Sequence, residues 1–236
     1  MRWLKDKDYY VEQRADEAGK QQLFRVHART GEAIPLYNTG RILRAFLEEV
    51  PEVEGRALVT DGAFAMSPDE SAVMITHEGS LYYYHFKHDI GRKLTAAGEG
   101  SDATVQVPCF SPDGTMISFV RGNDLFVVDV HSARQTRLTA TGTFNLFNGM
   151  LDWVYQEEVF GRGNYRSHWW SPDSRHIAFL ELDESPVPSF TVVDHIPQHL
   201  TTEVSNTKRL LVYSSTHCRI PTHTPGTKPL TPTAHR

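Results

Sequence analysis

Three Ser-Pro-Asp tripeptides, Ser67-Pro-Asp69, Ser111-Pro-Asp113 and Ser171-Pro-Asp173, each follow apolar or aromatic residues and precede a short alternating run. The first two agree further. Phe64-Ala-Met-Ser-Pro-Asp leads to Leu81-Tyr-Tyr-Tyr84 and Leu94-Thr95, and Cys109-Phe-Ser-Pro-Asp-Gly leads to Leu125-Phe-Val-Val128 and Leu138-Thr139. Ser67 and Ser111 are 44 positions apart, as are Leu94 and Leu138. A repeat of about 40–45 residues built from short β-rich runs is the pattern of propeller blades, small antiparallel sheets that bury their faces only against their neighbours. The expected fold is all-β: a partial β-propeller of about three to four blades over 1–203, with a short helical insertion.

Ser-Pro-Asp-Gly is itself a hairpin turn. Pro fixes φ at the second position, Asp accepts from the local backbone, and Gly114 tolerates positive φ. An earlier strand pair is readable in Tyr9-Tyr-Val-Glu-Gln13 and Leu23–Gly31, whose Arg-Thr-Gly turn resembles the end of another blade. Residues 39–60 read as one helix, with Ile42, Leu43, Phe46, Leu47 and Val50 on one face.

The third copy is delayed, because Ser111 and Ser171 are 60 positions apart. The extra length falls on Gly142 to Tyr165, and insertions in propeller repeats project from one face that often binds ligands. This insertion holds Asp152-Trp-Val-Tyr-Gln-Glu-Glu-Val-Phe160, followed by the turn-forming run Gly161-Arg-Gly-Asn164. Glu157 and Glu158 form an acceptor-only pair, whose natural partner is a compact cation with several N–H donors, such as the free amino terminus of a peptide. Neighbours on a regular helix point about 100° apart, so convergence on one cation requires long side chains, a helix end or a distorted backbone.

The formal charge of −5 argues against a nucleic-acid partner. Cys109 and Cys218, too far apart to suggest a disulfide framework or zinc site, are the only cysteines, and Cys109 reads as a small buried hydrophobe. His85 and His88 are three apart, which in a strand places them on opposite faces, so no metal site and no cofactor are expected. Met1-Arg-Trp-Leu-Lys-Asp-Lys-Asp8 lacks the apolar stretch of a signal peptide, and no apolar run approaches the ~18 residues of a membrane helix. Past Glu203, the last acidic residue, the 33 residues from Val204 to Arg236 carry five Lys or Arg. Residues 204–236 are therefore expected to be a low-complexity tail, disordered or translated out of frame.

With repeat and insertion together, the chain resembles the amino-terminal β-propeller region of dipeptidyl peptidase IV-like serine peptidases, in the prolyl oligopeptidase superfamily. The resemblance rests on Asn148-Gly-Met-Leu-Asp-Trp-Val-Tyr-Gln-Glu-Glu-Val-Phe160, Trp169-Trp-Ser-Pro-Asp173, Ile177-Ala-Phe-Leu180 and Asp183-Glu-Ser-Pro-Val-Pro188. It runs from about Tyr9 to about Ser205. It implies that Glu157 and Glu158 bind the amino terminus of a peptide and set the distance to the bond after its second residue, usually Pro or Ala. Gln156 stands where some relatives carry a third acidic residue. The family also directs a propeller Arg at the substrate carbonyls; no motif here places it, and Arg162 and Arg166 read as surface or structural.

The resemblance further implies an α/β-hydrolase catalytic domain in the full-length parent, a homodimer of that parent, and export. The catalytic Ser of such a domain lies in a Gly-x-Ser-x-Gly elbow, which this sequence does not contain, so the chain alone is not expected to hydrolyse peptides. The reading from a different class is a non-catalytic binding or interaction module, a stand-alone propeller in which the Glu pair recognises amino termini or merely stays solvated.

Overall fold

The computed structural model describes residues 2–15, 21–95, 104–187, 189–193, 207–211 and 217–219. Three four-stranded antiparallel sheets follow one another as simple meanders. The first is β1 (Arg2–Trp3), β2 (Tyr9–Ala15), β3 (Gln21–His27) and β4 (Ala33–Pro35), so the strand pair read from sequence is the middle of a complete blade. The second is β5 (Ala63–Met66), β6 (Ala72–His77), β7 (Ser80–His85) and β8 (Ile90–Thr95). The third is β9 (Gln106–Phe110), β10 (Met116–Arg121), β11 (Asp124–Asp129) and β12 (Gln135–Arg137).

Strand periodicity explains why these sheets stack. On β6 and β7, Val73, Ile75, Tyr82 and Tyr84 join a core shared with the first blade and the helices, whereas Ala72, Met74, Leu81 and Tyr83 face the third blade. There they meet Phe110, Ile117, Phe119 and Val128. The opposite side of the third blade carries Val120, Leu125 and Val127, packed with Ile177 of the next segment. Successive residues point to opposite sides of a strand, so a run apolar at every position needs a neighbour on both faces. Each fully buried Leu, Ile, Val or Phe contributes about 1.5–3 kcal/mol.

The sequence repeat is a geometric repeat. In each Ser-Pro-Asp copy the Ser hydroxyl donates to the Asp carboxylate at 2.5–2.6 Å and accepts an amide five residues on, from Ala72, Met116 or His176, at 2.9–3.0 Å. The fourth turn position has positive φ in all three: 67° at Glu70, 75° at Gly114 and 60° at Ser174. Only one copy uses the residue that adopts it without strain. The Leu-Thr ends repeat too, since the Leu81 amide donates to Thr95 Oγ1 and the Leu125 amide to Thr139 Oγ1, each at 3.0 Å.

Between the first two blades lie two helices rather than the expected one: α1 (Thr39–Phe46) and α2 (Glu52–Asp61). Pro51 explains the break, because it has no amide to donate and its ring disfavours helical backbone at the preceding residue. Asn38 caps α1 through the Arg41 amide, and Ile42, Phe46 and Val50 are buried; Leu47, read as part of the same face, is exposed. Helix α1 lies so close over β8 that a Cβ on Gly91 would sit 2.7 Å from the Ala45 carbonyl oxygen. His85 and His88 also differ from expectation. His88 lies in the turn beyond β7, so the two rings meet at 4.5 Å instead of facing apart.

After the third blade come β13 (Leu146–Asn148), β14 (His168–Trp170), β15 (Ile177–Phe179), β16 (Glu181–Asp183), β17 (Ser189–Val193), β18 (Thr207–Leu211) and β19 (His217–Arg219). They form a β13-β16-β19 sheet and the pairs β14-β15 and β17-β18, so the third Ser-Pro-Asp turns a two-stranded hairpin. Within 204–236 only β18 and β19 are described; the disordered or out-of-frame tail expected there otherwise lies outside the described residues. Among the described residues no helix is long and apolar enough to cross a membrane.

Two buried polar groups lie where the third blade meets the strands after it. Asp124 is nearly inaccessible; it accepts from Thr139 Oγ1 (2.6 Å), the Gly142 amide (3.0 Å) and Asn148 Nδ2 (3.3 Å), and pairs with Arg137. Burial alone would raise its pKa, but these donors outweigh it and hold the carboxylate below its ordinary value. His168, fully buried on β14, hydrogen-bonds the Gly149 carbonyl at 2.9 Å through Nδ1, while Nε2 has no partner among the described residues. Burial pushes its pKa down to about 4.

Asp124→Ala strands several donors at once and is expected to cost about 3 kcal/mol in urea unfolding, with Asp124→Asn, which keeps a carbonyl acceptor, losing less. The folded His168 pKa lies below the unfolded value, so its contribution is complete above pH 6.5 and lost as pH falls towards 4. Wild-type stability should fall by about 3 kcal/mol from this group over that window, and a His168→Phe variant should show a flatter profile by the same measurement.

Candidate functional site

The insertion grows from a short two-stranded stem. Met150 and Arg166 form an antiparallel bridge, and the Leu151 amide donates to the Tyr165 carbonyl at 2.7 Å, so residues 152–164 leave and return at nearly the same point. The base is fastened to the β10–β11 turn, where the Asn123 carbonyl accepts both the Asn148 amide (3.0 Å) and Asn148 Nδ2 (3.1 Å). Gly142 is required at this junction, because a Cβ there would lie 2.6 Å from the Asn123 carbonyl oxygen. Arg166 points back into the scaffold, donating to Cys109 Sγ at 2.8 Å. Burial pushes the Cys109 thiol up more than that guanidinium pulls it down, in keeping with an unreactive cysteine.

Glu157 and Glu158 lie on a π-helical turn, Tyr155–Val159, closed by the Phe160 amide donating to the Tyr155 carbonyl at 2.9 Å. On this distorted backbone neighbouring side chains depart from the spacing of a regular helix, and single π-turns recur at functional sites. Asp152, buried at the entry, accepts the Tyr155 amide at 2.7 Å. Gln156, buried on the inner side, accepts the Gly163 amide through Oε1 at 2.7 Å and ties the turn to the glycine loop after it. With Gln156 inward, Glu157 is left half-buried and Glu158 exposed. Trp153, Val159 and Phe160 leave apolar surface exposed on the same segment.

Glu157 pairs with Arg162, whose guanidinium lies 2.6 Å from Oε1 and is itself 83% exposed. Glu158 has no ion pair among the described residues. A third carboxyl, Glu184, is buried just after β16; burial pushes its pKa up, and the charge of Asp152 adds to the effect. Among the described residues no group of three or more His, Cys, Asp or Glu is arranged to hold a metal ion.

The sequence reading named the Glu pair but missed what shapes the turn. Asp152 stands three residues before the amide that it caps, a spacing that could have signalled its role. The inward Gln156 and the Glu157–Arg162 pair depend on the π-turn and on the glycine loop, and no local periodicity announces either.

Comparison with known proteins agrees with this architecture. The family model described as dipeptidyl peptidase IV (DPP IV) N-terminal region matches residues 67–216. Dipeptidyl peptidase 4 of Arthroderma otae is 36% identical over 134 residues, covering 54% of this chain and 17% of that protein. Dipeptidyl-aminopeptidase B of Aspergillus niger is 31% identical over 192 residues, covering 77% of this chain and 20% of that protein. The crystal structure of Porphyromonas gingivalis dipeptidyl peptidase 4 superposes with a TM-score of 0.66 at 24% identity, covering 88% of this chain and 28% of that one, a likeness of fold. The chain thus spans about a fifth of the length of the curated relatives it matches. By the match over 67–216, it belongs to the dipeptidyl peptidase IV N-terminal region family.

Proposed function

We propose that this chain is the substrate-binding propeller part of a dipeptidyl peptidase IV-like serine exopeptidase that removes Xaa-Pro or Xaa-Ala dipeptides, and that Glu157 and Glu158 clamp the amino terminus of the peptide. The observation that carries the reading is the placement of both carboxylates on a π-turn, on an insertion pinned to the blades by Asn148 and Gly142. An ammonium has three donors and no acceptor, and it matches two carboxylates better than any neutral group does.

In the proposed reaction these residues do no covalent chemistry. They hold the ammonium, so that the distance from the amino terminus sets which carbonyl reaches a serine supplied by an α/β-hydrolase domain of the parent protein. Binding energy at the remote terminus is thereby used to orient the reacting bond. Residues added ahead of the dipeptide would present the wrong bond, and a blocked terminus would offer the two carboxylates no ammonium. A homodimer of the parent belongs to the same proposal, as does a boundary of the peptide-binding propeller at residue 203, where acidic residues cease.

Calorimetric titration of the chain with an Xaa-Pro tripeptide and its N-acetylated form tests the clamp. Each charge-assisted hydrogen bond is worth about 1.5–3 kcal/mol, so the free peptide should bind about a hundredfold or more tighter. Glu157→Gln/Glu158→Gln should abolish the preference; equal affinities in the unsubstituted chain would refute the reading.

A further inference from the structure

Resting on the proposed amino-terminus clamp, we infer that Arg162 is a built-in competitor for it: a surrogate cation that occupies Glu157 while no peptide is bound and sets how tightly a free amino terminus binds. The guanidinium sits 2.6 Å from Glu157 Oε1, on one of the two carboxylates that the clamp needs. A guanidinium and an ammonium offer a carboxylate the same chemistry, positive N–H donors without acceptors, so the two compete for one group of lone pairs.

The loop holds Arg162 within reach without locking it. Arg162 lies between Gly161 and Gly163, whose φ angles are 93° and 83°, with open space around both. The Gly163 amide is tethered to buried Gln156, which keeps this short loop beside the turn. The arginine side chain remains 83% exposed while Glu157 is 30% exposed. Such a pair at the surface is worth only about 0–1 kcal/mol, so an amino terminus can displace it at modest cost.

The contact therefore lowers affinity instead of blocking the site. It relieves repulsion between two neighbouring carboxylates in the empty state, and it demands that an incoming group outbid a guanidinium at Glu157. Glu158 stays open as the point of first attraction. An ammonium engages both carboxylates, whereas a single neutral donor gains little net by replacing the arginine at Glu157.

The test measures affinity for free and acetylated Xaa-Pro tripeptide at low ionic strength in the chain itself, Arg162→Gln, Glu157→Gln, their double variant, and the charge-matched surface control Arg175→Gln. Arg162→Gln should tighten binding of the free peptide about two- to fivefold, the worth of one exposed ion pair. It should leave the acetylated peptide unchanged, have no effect in the Glu157→Gln background, and exceed the effect of Arg175→Gln. Discrimination by the unsubstituted chain without tightening in Arg162→Gln overturns the competitor alone, as does equal tightening by Arg175→Gln, which would report only net charge. Equal affinity for free and acetylated peptides overturns the clamp and the competitor together.

Discussion

The rest of this structure depends on sheets that are apolar on both faces. In β6, β7, β10 and β11 most residues are buried and none is exposed, with odd and even positions belonging to different cores. A lone four-stranded sheet of this composition would leave both apolar faces in water, so each blade is stable only against its neighbours. Stacking therefore holds the blades against one another through shared cores, and the insertion leaves the stack from a segment that joins them.

Polar contacts then specify how the joining segment leaves the stack. Asp124 collects four donors at the blade edge, and Asn148 is fastened to both Asp124 and the Asn123 carbonyl. A buried carboxylate tolerates this position only when its lone pairs are satisfied, and the same donors would be costly to orphan. From that fixed base, Asp152 starts the π-turn and Gln156 ties it to the glycine loop, so the exposed Glu158 and half-exposed Glu157 inherit their placement from buried neighbours. In the proposed clamp, a pre-shaped turn spares the backbone ordering that a flexible loop would undergo on binding.

Much of this architecture is legible in the sequence. The 44-residue spacing identified the stacked sheets because the Ser-Pro-Asp turn and the Leu-Thr strand end make the same hydrogen bonds in each repeat. The delay before Ser171 located the insertion, since extra residues cannot enter a stacked blade without leaving its plane. The single long helix over 39–60 was wrong at Pro51, where apolar periodicity outweighed a breaker that should have divided it. The contact between His85 and His88 was missed because a turn begins between them, and strand alternation stops applying there. Arg162 was read as a surface residue and is one; that it lies on Glu157 depends on the path of two glycines through positive φ, which sequence spacing does not encode.

The most direct examination of the account is a crystal structure of the chain with a free-amine Xaa-Pro peptide bound. The peptide ammonium should lie within about 3 Å of carboxylate oxygens of both Glu157 and Glu158, with the Arg162 guanidinium withdrawn from Glu157. A peptide ordered elsewhere on the blades, or an ammonium that touches neither carboxylate while Arg162 stays in place, would contradict it.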